Sequence, residues 1–232
     1  MSDSRSGEPV QFGTWWLPFG DRKCQRHFEG GGIQVDHLMR ALPHVKKWTL
    51  ALDGGAHVGS WTRPLAERFG HVVAYELAPD TFECLRRNTL SLSNVRIVNA
   101  AIGHRRGRVG VQEPGHTLGR SVAEGGDIPM LRIDDEKLPA LDFLKLDLEG
   151  YEYFGLKGAE KTIRKFKPVI LVEDKGHGLK YGVPENGVRH FLQSLGYVHI
   201  LRMKPDHLYI HGNLWTRFWG KIRAKRSSDH AL

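Results

Sequence analysis

Only two cysteines, Cys24 and Cys84, occur in the 232 residues. That number and spacing exclude a disulfide framework and a cysteine-based zinc site, fit a reducing compartment, and leave neither thiol with a chemical role. No apolar run approaches the roughly 18 to 20 residues that a membrane-crossing helix needs. The opening stretch Met1 to Pro9 lacks the apolar core of a secretory signal, so it reads as a frayed lead-in and a cytoplasmic protein is the default expectation. There is no internal repeat or low-complexity segment, which excludes a solenoid. The thirteen histidines show no metal-ligand spacing.

What is present describes an ordinary globular chain, with 40% hydrophobic and 26% charged residues. One α/β domain with additions at both ends fits this length. The expected division is an N-terminal arm or cap over 1–47, a main domain over 48–212 and a basic tail over 213–232. The arm carries Trp15, Trp16, Pro18 and Phe19, then Gly30-Gly31-Gly32, then a helix-like stretch from Gln34 to Leu42. It reads either as a cover for a substrate or as a hydrophobic arm packed on the body. The tail groups Arg217, Lys221, Arg223, Lys225 and Arg226 behind Trp215 and Trp219, and contributes to a net charge of +8. A solvated amphipathic helix and a contact with nucleic acid or another acidic surface both fit that pattern.

From Thr49 onward short apolar runs alternate with helical segments, the sign of a parallel, doubly wound sheet. Strands are expected at Leu50 to Asp53, His71 to Glu76, Val95 to Asn99, Leu141 to Asp147 and Pro168 to Glu173, with helices at Gly59 to Phe69, Asp80 to Leu90, Gly158 to Lys165 and Glu185 to Leu195. Residues 101–131 read as an antiparallel excursion or loops. Tyr197 to Arg202 and His207 to His211 read as a hairpin at the sheet edge.

Four of these strands end on a carboxylate, namely Asp53, Glu76, Asp147 and Glu173. Ligands of open α/β sheets sit outside the carboxyl ends of the strands, so these acids share one rim. The first strand runs into Asp53-Gly54-Gly55-Ala56-His57-Val58-Gly59, a turn that lets backbone approach a ligand closely. Glu76 follows about 20 residues later, the spacing of an acid that accepts from a ribose diol. Nicotinamide dinucleotides and S-adenosylmethionine both present that diol. An acid inside the turn repels a pyrophosphate but suits a ligand carrying a sulfonium and an amino group, which favours S-adenosylmethionine.

These segments also resemble a family. The glycine turn, Ala74-Tyr75-Glu76-Leu77-Ala78-Pro79, the block Asp142 to Glu152 (Asp-Phe-Leu-Lys-Leu-Asp-Leu-Glu-Gly-Tyr-Glu), Leu156-Lys157-Gly158-Ala159 and Pro168 to Glu173 are similar to the FkbM family of S-adenosylmethionine-dependent methyltransferases. The resemblance spans 48–201, and its Lys-x-Asp-x-Glu-Gly-x-Glu block is the specific part. His57 stands where the family usually has Asn, and Leu77 where Pro usually follows the ribose acid. The resemblance implies a Rossmann-like class I fold, a mostly parallel seven-stranded sheet with the last strand antiparallel and helices on both faces, and methyl transfer to a hydroxyl oxygen. It further implies that Gly54, Gly55, Ala56, His57 and Gly59 form the cofactor turn, with Asp53 holding the methionine ammonium. Glu76 and Leu77 then meet the ribose side, and Ala100 and Ala101 line the adenine.

Asp147 is the first candidate for the base that takes the hydroxyl proton, and Glu173 the second. Lys145 alternates with Asp147 and Glu149 along one expected strand face, giving either a catalytic charged cluster or a structural ion pair. No resident metal is expected, although Asp147, Glu149 and Glu173 have the hard oxygen ligands of a divalent-ion site. His177, in the glycine-flanked segment after Glu173, reads as a base, a substrate contact or an incidental loop residue. The expected acceptor is a small molecule or glycan. An RNA ribose hydroxyl is the alternative favoured by the charge, and a non-catalytic cofactor- or partner-binding module is a third reading.

Overall fold

The computed structural model describes residues 7–29, 35–112 and 116–212; the expectations placed on the triple glycine and on the basic tail fall outside these residues. An N-terminal hairpin of β1 (Val10–Phe12) and β2 (Trp15–Leu17) leads into α1 (Arg22–Glu29) and α2 (Val35–Ala41). The alternating part begins with β3 (Leu50–Gly54), α3 (Thr62–Ala66), β4 (His71–Glu76), α4 (Pro79–Thr89) and β5 (Val95–Asn99). An excursion of β6 (Ala101–Ile102), β7 (Gly107–Gln112) and β8 (Ser121–Leu131) makes a separate three-stranded sheet. The chain then forms β9 (Phe143–Leu146), α5 (Glu152–Lys157), α6 (Glu160–Phe166), β10 (Val169–Glu173), α7 (Gly187–Ser194), β11 (Tyr197–Met203) and β12 (Asp206–His211).

The main sheet has the order β11-β12-β10-β9-β3-β4-β5. Its central strands pair in parallel, and β12 inserts antiparallel between β10 and β11. The chain winds from β3 outward to β5, then restarts beside β3 with β9. That reversal opens a cleft at the carboxyl ends of β3 and β9.

Every residue of β3 and of β10 is buried, as expected of strands covered on both faces. The period-two alternation of a strand divides their side chains between two layers. Leu50, Leu52, Tyr75, Leu144, Leu146 and Ile170 pack with Leu156, Ile163 and Leu192 of α5, α6 and α7. Ala51, Val72, Phe143 and Leu171 pack instead with Leu38 of α2 and Leu65 of α3. The N-terminal arm therefore supplies part of a core layer.

Besides the hairpin and α1 of the arm, which the sequence does not announce, two helices of the main domain differ from the sequence expectation. Helix α3 starts later than Gly59 because that glycine sits at φ +96° and His57 at φ +52°, so the chain is still turning there. Helix α5 was not anticipated, since Gly155 weakens the local helical signal. Close packing explains it, because a Cβ at Gly155 would lie 2.8 Å from Leu148 Cδ1. Gly158 is tighter still, with a Cβ there only 1.9 Å from the Gly103 carbonyl oxygen.

Candidate active site

The glycine turn is shaped by its neighbours on both sides. The amides of Gly55 and Ala56 donate to the Tyr75 carbonyl at 3.0 and 2.9 Å, tying the turn to β4. Gly55 adopts φ +75°, and a Cβ on it would lie 1.8 Å from the Asp147 carbonyl oxygen. Only glycine meets both conditions. At position 57 the backbone is left-handed, a conformation in which Asn, Asp and His are enriched, so His57 can stand where the family uses Asn.

The His57 amide donates to Glu76 Oε2 at 2.8 Å, while Glu76 Oε1 accepts from the Ala78 amide at 2.9 Å and the Thr81 hydroxyl at 2.8 Å. Burial pushes the Glu76 carboxyl upward, and these three donors pull it back. The His57 ring lies at the start of a directed chain. Thr117 Oγ1 donates to Asp21 Oδ2 at 2.6 Å, so the 2.8 Å contact between Thr117 Oγ1 and His57 Nε2 requires the ring to donate from Nε2. Burial brings the His57 pKa down to about 4, which keeps the ring neutral. Asp21 Oδ1 also accepts the Lys23 and Cys24 amides at the start of α1, at 3.1 and 2.9 Å. Burial works to raise the Asp21 pKa, but the hydrogen bonds from Thr117 and Cys24 outweigh it and the pKa lies below the ordinary value.

Gly55, His57, Glu76, Leu77, Ala100 and Ala101 line one cavity of the cleft. A second cavity of about 580 Å³ adjoins it, sharing Gly55, His57 and Asp147 and adding Ala56 and Glu173. Asp147 lies on both, with its side chain 30% exposed. The other expected turn residues stand behind the wall. A Cβ on Gly54 would meet Leu146 and Ile102, and one on Gly59 would meet Leu85, so both glycines serve packing.

Asp53, expected to hold the methionine ammonium, is enclosed by protein. Its side chain is 0% exposed, accepts from Thr62 Oγ1 at 2.7 Å and pairs with Lys145 Nζ at 3.2 Å. The parallel register sets Asp53 opposite Lys145, which explains the pairing. Lys145, 4% exposed, also donates to the Gly55 carbonyl at 3.2 Å and approaches Asp147 Oδ2 at 3.8 Å. Burial works to lower the Lys145 pKa, but Asp53, Asp147 and Asp206 outweigh it and the ammonium is held above its ordinary value. Asp53 is thus tied to Asp147 and the glycine turn through Lys145.

Glu149 is not on the strand face where alternation placed it. β9 ends at Leu146, and Glu149 and Gly150 turn through φ +51° and +104°. Glu152 holds this turn by accepting the Leu148 and Gly150 amides at 2.8 and 3.0 Å. The turn brings one carboxylate oxygen each of Asp147, Glu149 and Glu173 within 4.8 Å of one another. Lys175 Nζ lies 2.9 Å from Glu173 and 3.2 Å from Glu149, so a lysine supplies positive charge between these two acids. Burial and the Asp147 carboxylate push Glu173 upward against the pull of Lys175. His177 Nδ1 lies 3.4 Å from Glu149 Oε2 on the same wall.

Sequence reasoning missed Asp21, Thr117 and Lys175, whose partners are brought together only by the fold. Of the two readings of the aromatic arm, its hairpin takes the one packed on the body. Arg63 and Arg87 stack over Trp15 and Trp16 at 4.3 and 4.8 Å, fastening the hairpin to the body, while Lys23, His27 and Phe28 of α1 face the cleft. Cys24 and Cys84 are buried in the same joint, and burial pushes both thiols up to about 12.

A model of the methyltransferase FkbM domain matches residues 53–198. The chain belongs to the FkbM methyltransferase family. That family uses S-adenosylmethionine, and the glycine turn with Glu76, Ala100 and Ala101 has the close backbone approach, the acid and the small apolar wall such a ligand requires. Similar solved structures include methyltransferase FkbM from Methylobacillus flagellatus KT, with 21% identity, a TM-score of 0.49 and coverage of 72% of this chain and 44% of that one. The chain therefore spans less than half of that protein's length. SMU.1697c from Streptococcus mutans, in complex with SAH, has 13% identity and a TM-score of 0.49 over 75% of this chain and 94% of that one. An rRNA methylase from Streptococcus thermophilus has 14% identity and a TM-score of 0.45, covering 75% and 92%. No curated protein matches the chain. Among the described residues, no helix is long and apolar enough to cross a membrane.

Proposed function

We propose that the chain methylates a hydroxyl oxygen of a small molecule or sugar, using S-adenosylmethionine, and that residues 48–212 carry the reaction beneath the N-terminal arm. The observation that carries this reading is the position of Asp147 on the wall shared by the two cavities. A base at that boundary reaches both the methyl donor and the acceptor. When bound, the donor offers a methyl carbon whose bonding electrons stay on sulfur, so the acceptor's hydroxyl proton must be removed.

Asp147 takes that proton. Lys145 Nζ stands 3.8 Å from Asp147 Oδ2, and the Asp147 side chain keeps an exposed side for the acceptor. Glu173, pushed upward by burial against the pull of Lys175, suits orienting the acceptor rather than taking its proton. Glu76 accepts the ribose hydroxyls, and Leu77, Ala100 and Ala101 exclude water around the adenine. Holding the acceptor oxygen close and aligned supplies much of the rate, and proton removal supplies a further 10²- to 10⁴-fold, both order-of-magnitude figures.

The test is Asp147→Asn in the full chain. Turnover of S-adenosylmethionine with an accepted alcohol should fall roughly 10²- to 10⁴-fold, while calorimetric affinity for S-adenosylhomocysteine stays within about threefold. Undiminished turnover would remove Asp147 as the base, and binding of NAD alone would remove the methyltransferase reading. The net charge of +8 favours the second reading, RNA 2′-hydroxyl methylation. That reading requires RNA affinity that falls steeply with salt, and negligible affinity at low salt excludes it.

A further inference from the structure

The outer wall of the second cavity carries lysines and histidines from three segments far apart in sequence. Lys23 and His27 stand on α1, His116 on the loop between β7 and β8, and Lys175, His177 and Lys180 on the segment after β10. Their charges are not all met by protein. Lys145 is matched by Asp53 and Asp147, and Lys175 by Glu149 and Glu173. Lys23 and Lys180 have no ion pair with any described carboxylate, and each is held by a neutral group instead. Lys23 Nζ lies 2.9 Å from His116 Nε2, a contact that needs the imidazole lone pair to accept from the ammonium. Lys180 Nζ donates to Ser121 Oγ at 2.9 Å and sits 5.0 Å from the centre of the Tyr181 ring.

Lysines that simply face water have no need of such anchors. Here two ammonium groups are held in place at a cavity mouth by neutral partners, which leaves their charge for something that enters. The carboxylates of the same cavity, Asp147, Glu149 and Glu173, lie together, two of them bridged by Lys175. The cleft is thus polarised, with acid where a hydroxyl must be deprotonated and cation toward the mouth. An acceptor neutral at both ends has no use for the outer half, whereas one with an oxyanion at its far end meets donors of the right sign.

We propose that the acceptor is a small anionic alcohol, a compound bearing a phosphate or carboxylate that Lys23 and Lys180 hold while its hydroxyl points at Asp147. This rests on the methyl-transfer reading and names its substrate class. The cavity, about 580 Å³, lies within the range of small-molecule sites, and so accommodates a monosaccharide-sized compound with its charged group.

Inorganic phosphate is the probe. Titrated by calorimetry at low salt into the full chain saturated with S-adenosylhomocysteine, it should bind in the millimolar range. Lys23→Ala combined with Lys180→Ala should weaken that binding at least tenfold, and Lys23→Arg with Lys180→Arg should restore it. Affinity for S-adenosylhomocysteine should change less than twofold in either variant. Both lysines are exposed, so the substitutions do not threaten the core. Phosphate binding that is absent, or indifferent to the alanine pair, overturns the proposal while retained S-adenosylhomocysteine affinity leaves the methyltransferase reading standing. A fall in S-adenosylhomocysteine affinity overturns it differently, assigning the lysines to the cofactor's carboxylate. Tight binding of a ten-nucleotide RNA through the same lysines, with a salt slope of several phosphates, overturns it in favour of a polymer.

Discussion

The two halves of the cleft are built by different physics. In the inner half Glu76 and Asp21 are held by amide and hydroxyl donors, and the His57 ring stays neutral. In the outer half lysines and carboxylates face each other, with Asp147, Glu149 and Glu173 close together and Lys175 between two of them. A hydrogen-bonded cradle fixes shape, so it fits a ligand that never changes. An ionic wall sets sign and charge and takes its residues from loops, so it suits an acceptor that differs from one relative to the next.

The hardest blow to the inner half is Gly55→Ala. The added methyl meets the Asp147 carbonyl oxygen at 1.8 Å and forces a left-handed backbone on alanine, so β3 and β9 must separate at the cleft. A cost on the order of 4 kcal/mol is expected, near the top of the range for single substitutions. Chemical denaturation should show it, together with loss of measurable S-adenosylhomocysteine binding; a variant that binds normally would mean that the turn is free to move.

A smaller effect separates fold from charge at the junction of the halves. Glu152 holds the turn that positions Glu149, and burial pushes its carboxyl up to about 7 from 4.5. The folded chain therefore keeps this proton while the unfolded chain releases it as pH rises from 4.5. Stability from this group is complete below the unfolded pKa and is lost as pH climbs to about 7, a total on the order of 3 kcal/mol. Glu152→Gln keeps the oxygen that accepts both amides and removes the titration. Unfolding free energies of the two proteins, measured from pH 4.5 to 8, should diverge with the wild type falling; parallel curves would show that Glu152 has the same pKa folded and unfolded.

The contrast between halves also explains what was legible in the sequence. The inner half is written locally, since an apolar strand, Gly55 and an acid at the end of the next strand are features of contiguous segments. The sheet and the helices that cover it were readable for the same reason, apart from α5, where packing around Gly155 outweighs propensity. The role of Asp53 was not readable, because its partner Lys145 is set opposite by strand register across 92 positions of chain. Lys23 and Lys180 carry no local mark either, as nothing in their own segments says that a cavity opens beside them.

The smallest expected effect tests whether the inner half reaches the N-terminal arm. The chain His57 to Thr117 to Asp21 links the cofactor turn to the start of α1 through one hydroxyl that both donates and accepts. Thr117→Val removes that hydroxyl at nearly constant volume, while the amide of residue 117 still donates to Asp21 at 2.6 Å. His57 Nε2 is then buried with its proton unpaired, which costs about 1 to 2 kcal/mol of ring placement. If the arm positions the ring for the cofactor, S-adenosylhomocysteine affinity should fall by about five- to tenfold, one kcal/mol or a little more on the binding scale. A purely structural contact would lower the melting temperature and leave that affinity unchanged. Calorimetry and thermal unfolding on the same variant distinguish the two, and an unchanged affinity would confine the arm's contribution to the outer half, where Lys23 stands.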